Sequence, residues 1–105
     1  MIVVRNVFHT KFGHAGELVA AFKETFEQSA ADPDVPTVPS RLYTDLSGRF
    51  FTVVLESEHE SLAAFEQFRA KLFSTPRFQA MAGRMGDLVE SGEAEYYTLE
   101  ATVSG

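Results

Sequence analysis

The sequence contains no cysteine and no tryptophan. The first absence excludes disulfides, thiolate nucleophiles and thiolate metal ligands, and it suits a reducing compartment. Basic side chains are scarce, nine Lys and Arg against fifteen Asp and Glu for a net charge of −6. That balance opposes binding to a phosphate backbone, so no nucleic-acid partner is expected. No apolar run approaches the roughly 20 residues of a membrane span, so no membrane partner is expected either. The opening Met1-Ile2-Val3-Val4-Arg5 reads as the start of a strand and lacks the block layout of a signal peptide, and a cytoplasmic location is expected. Repeats, low-complexity tracts and linker-like stretches are also missing, so residues 1–105 are read as one domain.

Six main segments are present, in the order strand, helix, strand, strand, helix, strand. Ile2 to Thr10 is rich in β-branched residues and reads as a strand with Ile2, Val4, Asn6 and Phe8 on one face and Val3, Arg5, Val7 and His9 on the other. Ala15 to Ala31 follows as a helix, with Leu18, Phe22, Phe26 and Ala30 recurring every four residues until Pro33 stops it. Val38 to Leu46 is a second strand, and Pro39, lacking an N–H, assigns it to a sheet edge. Phe50 to Glu56 is a third, nearly all apolar strand. Ser57 and Glu60 have the spacing of a capping box and are read as opening a helix with Leu62, Phe65, Phe68 and Leu72 on its buried stripe. Thr75-Pro76 has the form of an N-cap and first-turn proline for a short extra helix carrying Phe78, Met81, Ala82 and Met85. Glu93 to Val103 is the last strand.

This order predicts an α+β, ferredoxin-like βαββαβ sandwich with an extra short helix before the last strand. Strands one and three are placed as parallel neighbours in the middle, strands two and four at the edges, and the helices on one face. The bare face is read as apolar through Val3, Val7 and parts of strands three and four, and a bare apolar face predicts a homodimer paired sheet to sheet.

Together with this order and length, the turn Lys11-Phe12-Gly13-His14-Ala15-Gly16, the passage Leu55-Glu56-Ser57-Glu58 and the segment Phe73-Ser74-Thr75-Pro76-Arg77-Phe78 carry a resemblance. The chain resembles the dimeric α/β-barrel superfamily, in particular NIPSNAP-like proteins and antibiotic-biosynthesis-type monooxygenases. The resemblance implies two sheets closing a barrel across a dimer, and a small apolar or aromatic ligand held between sheet and helices. On that reading Asn6, Phe22, Phe65, Phe78 and Met81 are candidate ligand contacts.

Asn6 is a polar residue in an apolar strand, so its amide needs partners from the protein or from a ligand. The resemblance gives Asn6, Tyr43 and Tyr96 candidate catalytic roles in cofactor-independent monooxygenase-like or isomerase chemistry, hydrogen-bonding a phenolate. Tyrosine is also a favoured strand residue with a polar tip, which explains both tyrosines without catalysis. Haem-degrading relatives pair such an asparagine with a tryptophan before a Glu-Ser pair and a histidine on a later helix. Here Leu55 precedes Glu56-Ser57, and residues 61–86 hold no histidine, so haem breakdown is disfavoured and no cofactor is expected. The alternative is a non-catalytic NIPSNAP-like binding or interaction module.

His9, His14 and His59 lack metal-ligand spacing, and no metal is assigned to them. Parallel central strands would gather the three with Glu56 and Glu58 at one rim, a candidate metal or anion site; exposed first-turn positions are the simpler account of His14 and His59. Arg5 shares the bare face with His9 and is expected to pair with Glu95 or Glu100.

Overall fold

The computed structural model describes residues 1–105 and contains β1 (Ile2–Thr10), α1 (Ala15–Ala31), β2 (Ser40–Thr44), β3 (Thr52–His59), α2 (Leu62–Phe73), α3 (Pro76–Leu88) and β4 (Val89–Thr98). The sheet order is β2-β3-β1-β4, which is the ferredoxin-like arrangement. The helix starts are set by local chemistry. Ser61 Oγ accepts from the N–H of Ala64 at the head of α2, and Thr75 Oγ1 accepts from the N–H of Phe78 at the head of α3, where Pro76 occupies the first turn. Leaving α1, Asp32 turns the chain by accepting from the Asp34 N–H ahead of the proline-bearing segment to β2. No helix is long and apolar enough to cross a membrane.

All neighbouring strands are antiparallel, including β1 and β3, where Ile2 faces His59 and His9 faces Thr52. The expectation of parallel central strands is therefore wrong. Each strand–helix–strand crossover skips a strand, so β1 is parallel to β2 and β3 to β4, and the intervening neighbour runs the other way. The histidine rim disappears with it: His9 and His59 lie at opposite ends of β1.

Three further boundaries move. β3 runs on through Ser57 to His59, because these residues pair with Val4 and Ile2 of β1, and the helix begins at Leu62 behind the cap Ser61. The Ser57/Glu60 pair is not a cap. β4 starts directly at the end of α3 and ends at Thr98. β2 is shorter than expected but does occupy the edge that Pro39 indicated.

Register fixes the two faces. Val4, Asn6, Phe8, Val53, Leu55, Ser57, His59, Leu42, Ala94 and Tyr96 lie under the helices. The core between this face and the helices is built on Leu18, Ala21, Phe22, Val53, Met81 and Leu88.

The open face carries Val3, Arg5, Val7, His9, Val54, Glu56, Glu58, Arg41, Tyr43, Glu93, Glu95 and Tyr97. It is not the apolar surface that was expected. Glu56 lies at its centre, 3.2 Å from Arg41, 3.1 Å from the Tyr43 hydroxyl that donates to it, and 3.8 Å from Arg5 Nε. Arg5 also reaches Glu95 at 3.7 Å, the expected partner, whereas Glu100 lies beyond β4. His9 Nε2 sits 2.9 Å from Glu93.

Candidate functional site

Between the covered face of the sheet and the three helices lies a cavity of ≈ 520 Å³. This is within the roughly 300–1,000 Å³ range of small-molecule sites. The floor is Asn6, Phe8, Leu55 and Ser57 from the two central strands. α1 contributes Phe22 and Phe26, α2 contributes Phe65, Phe68 and Phe73, and α3 contributes Phe78, Met81 and Met85. The i, i+4 spacings of Phe22 with Phe26 and of Met81 with Met85 align each pair on one helix face. The same stripes that fill the core thus continue past it and line open space.

The walls are braced aromatic to aromatic. Phe8 and Phe22 have ring centroids 5.6 Å apart, and Phe73 stacks on Phe78 at 4.3 Å with 19° between planes. Such pairs add stability beyond the area they bury and hold the rings in fixed orientations.

Nine of the 23 lining residues are polar, Asn6 and Ser57 among them on the two central strands. The Asn6 side chain lines the cavity. Asn6 pairs with Leu55 and Val4 pairs with Ser57, so Asn6 and Ser57 project from the same face one diagonal step apart. Ser57 Oγ lies 2.8 Å from Nε2 of His59. His59 stands one layer behind the cavity wall, 4% exposed, with Phe65 and Phe68 centroids at 4.9 and 5.2 Å. Burial among these rings holds its pKa below the ordinary histidine value. His59 is therefore a neutral imidazole at neutral pH, hydrogen-bonded to a hydroxyl that opens on the cavity. At the rim, Arg69 Cζ lies 4.9 Å over the Phe73 ring, and Arg77 flanks Phe78.

Asn6, Phe22, Phe65, Phe78 and Met81, singled out in the sequence, all line this one cavity. The proposed catalytic trio is not brought together. Tyr43 is on the open face, bonded to Glu56, with the sheet between it and Asn6. Tyr96 shares the covered face with Asn6 but packs edge-on against Phe65 at 5.7 Å rather than lining the cavity. Strand pairing decides both placements, because a residue's face follows from register and not from its type.

The histidines do not converge. His14 is at the head of α1, with Nδ1 3.1 Å from Glu17 in poor hydrogen-bond geometry. No three His, Asp or Glu side chains come close enough to hold a metal ion. The Ser57–His59 pair was missed because Ser57 was read as a helix cap. The available signal was the i, i+2 spacing, which puts both residues on one face of an extended strand.

No family model matches the chain, and no curated protein matches its sequence. Solved structures do match. A NIPSNAP domain protein from Burkholderia xenovorans superposes with a TM-score of 0.80 over 100% of both chains at 18% identity. A NIPSNAP family protein from Agrobacterium tumefaciens gives 0.78 over 92% of this chain and 90% of its own at 23% identity. A variant of SnoaB, a cofactor-independent oxygenase from Streptomyces nogalater, gives 0.69 over 99% and 97% at 20% identity. The chain thus has the ferredoxin-like α+β fold shared by NIPSNAP domain proteins and by this cofactor-independent oxygenase.

Proposed function

We propose that the cavity binds a small aromatic metabolite and that the protein oxidises it with molecular oxygen, without a cofactor. The observation that carries this reading is the Asn6 amide on the floor of a cavity lined by seven phenylalanines and two methionines. An apolar site with a few convergent polar groups is the usual form of a small-molecule site. The likeness to SnoaB supports the choice of chemistry.

In this reading a phenolic substrate stacks among Phe22, Phe65 and Phe78, and its oxygen accepts from the Asn6 amide. The Ser57–His59 pair receives the proton, and the Asn6 amide stabilises the anion that remains. That anion gives one electron to oxygen, and the radical pair joins in a C–O bond. Return of the proton gives a hydroperoxide on the ring carbon of that bond, and loss of water leaves a carbonyl, so one oxygen molecule converts the phenol and one of its ring C–H groups into a quinone and water. Tyr43 has no part in this scheme, and Tyr96 acts only by supporting Phe65.

The protein works as a homodimer through the open sheet face, in the cytoplasm. Support for the dimer comes from the uncovered Val3, Val7, Val54 and Tyr97 among the ion pairs, and from Arg5 Nε, a buried donor without a hydrogen-bond acceptor.

The test is oxygen uptake by the purified chain with a panel of polycyclic phenols, in chelator-treated buffer. Uptake of one oxygen per substrate is expected, with Asn6→Leu slowing turnover by about 10²-fold. Absence of uptake together with absence of binding contradicts the proposal. Binding without uptake instead selects the second reading, a NIPSNAP-like binding module, which the closer superposition on the NIPSNAP domain protein favours, 0.80 against 0.69.

A further inference from the structure

We infer that the ligand of this cavity is an aromatic carboxylate, with its ring among the phenylalanines and its carboxylate at the rim between Arg69 and Arg77. This rests on the cavity being the binding site proposed above. The chain has fifteen acidic and nine basic side chains, yet no Asp or Glu lines the cavity, and its only charged groups are Arg69 and Arg77. The local charge is opposite in sign to the chain's −6. A cleft lined by one sign of charge, with low-dielectric walls, concentrates potential and draws in the opposite charge.

Neither arginine is satisfied by the protein. Arg69 enters no ion pair; its guanidinium lies on Phe73, which in turn stacks on Phe78. Contact with a ring face orders the guanidinium while its N–H donors, in the guanidinium plane, stay free. The carboxylate nearest Arg77 is Asp32, 3.9 Å from Nε, beyond hydrogen-bond length and at an exposed site where such pairs contribute little. An incoming carboxylate therefore displaces no strong partner, and its two oxygens match the guanidinium fork. Seven phenylalanines are spread over the rest of the lining, on the sheet and on all three helices, and favour an aromatic body. Asn6 on the floor and the arginines at the rim set the polar ends of the ligand apart.

Calorimetric titration of the full chain with 2-naphthoate and with 2-naphthamide, its neutral isostere, tests the inference. Naphthoate is expected to bind about tenfold more tightly than naphthamide at low salt, the difference between a charge-assisted and a neutral hydrogen bond. In the double variant Arg69→Gln/Arg77→Gln that advantage disappears and naphthamide affinity is unchanged. Lys71→Gln, which removes a cation of α2 outside the cavity, keeps the advantage. Equal affinity of the two probes for the native chain, or an advantage that survives in the double variant, overturns the inference and leaves the cavity reading intact. Failure of both probes to bind overturns the two together.

Discussion

Ser57 Oγ and His59 Nε2 are 2.8 Å apart on the same face of β3, with the serine on the cavity wall and the histidine enclosed by Phe65 and Phe68. Burial lowers the His59 pKa in the folded chain, so in the unfolded chain His59 takes up a proton first as the pH falls. The stability it contributes is complete above the unfolded value of about 6.5. That stability is lost as the pH drops from there toward the lower folded value. Urea midpoints measured from pH 7.5 to 5 should fall below about pH 6.5 and fall less steeply in His59→Gln. His9 and His14 are common to both proteins, so the difference in slope isolates His59. Equal slopes contradict the burial argument.

Ser57→Ala removes the partner of a buried imidazole nitrogen. A loss of about 1–3 kcal/mol is expected from chemical denaturation, the usual cost of an unsatisfied buried polar group. A change within about 0.5 kcal/mol would mean that His59 finds water or another hydrogen-bond partner instead.

On the open face, the Tyr43 phenol titrates above its ordinary range, because of desolvation first and the Glu56 carboxylate it donates to second. Replacing Glu56 by Gln removes the second cause only. Ultraviolet titration should then show one tyrosine moving down toward its ordinary value while remaining somewhat raised. The Tyr43→Phe variant identifies which of the three tyrosines moves.

Leu18 is fully buried at the centre of the core, whereas Leu46 in the β2–β3 turn is fully exposed. Leu18→Ala should cost about 2–5 kcal/mol, a large part of a typical domain's stability. Leu46→Ala should stay within about 0.5 kcal/mol. Denaturation midpoints of the two variants check the assignment of the core.

Much of this architecture is legible in the sequence. The four-residue recurrence from Leu18 to Ala30 and the proline at 33 give α1 its observed bounds, and Thr75-Pro76 marks α3. These signals are local. What misled was non-local. Ser57, Glu58 and His59 look like the start of a helix until they are seen to pair with Val4, Val3 and Ile2, more than fifty positions away. With Glu56 and Glu58 assigned to the end of a strand and beyond it, the open face looked apolar. Within a continuous β3 both carboxylates fall on that face and meet Arg41. The aromatic wall was readable because helical stripes reveal which side chains share a face. The separation of Tyr43 from Asn6 was not, since it depends on the register of two strand pairings.

The proposed dimer has a direct consequence for Val7, which faces Val54 in the middle of the open sheet. Sedimentation at micromolar concentration should give a dimer for the native chain and a folded monomer for Val7→Lys. A native chain that sediments as a monomer contradicts the sheet-to-sheet pairing.

The central claim is that an aromatic molecule binds between sheet and helices, and amide chemical-shift mapping of the 105-residue chain during titration with 2-naphthol tests it most directly. Saturable shifts concentrated at Asn6, Phe22, Ser57, Phe65, Phe78 and Met81, with Tyr43 and Glu58 on the opposite face little affected, are the predicted result. Saturable shifts centred on the open face, or none at any residue, would contradict it.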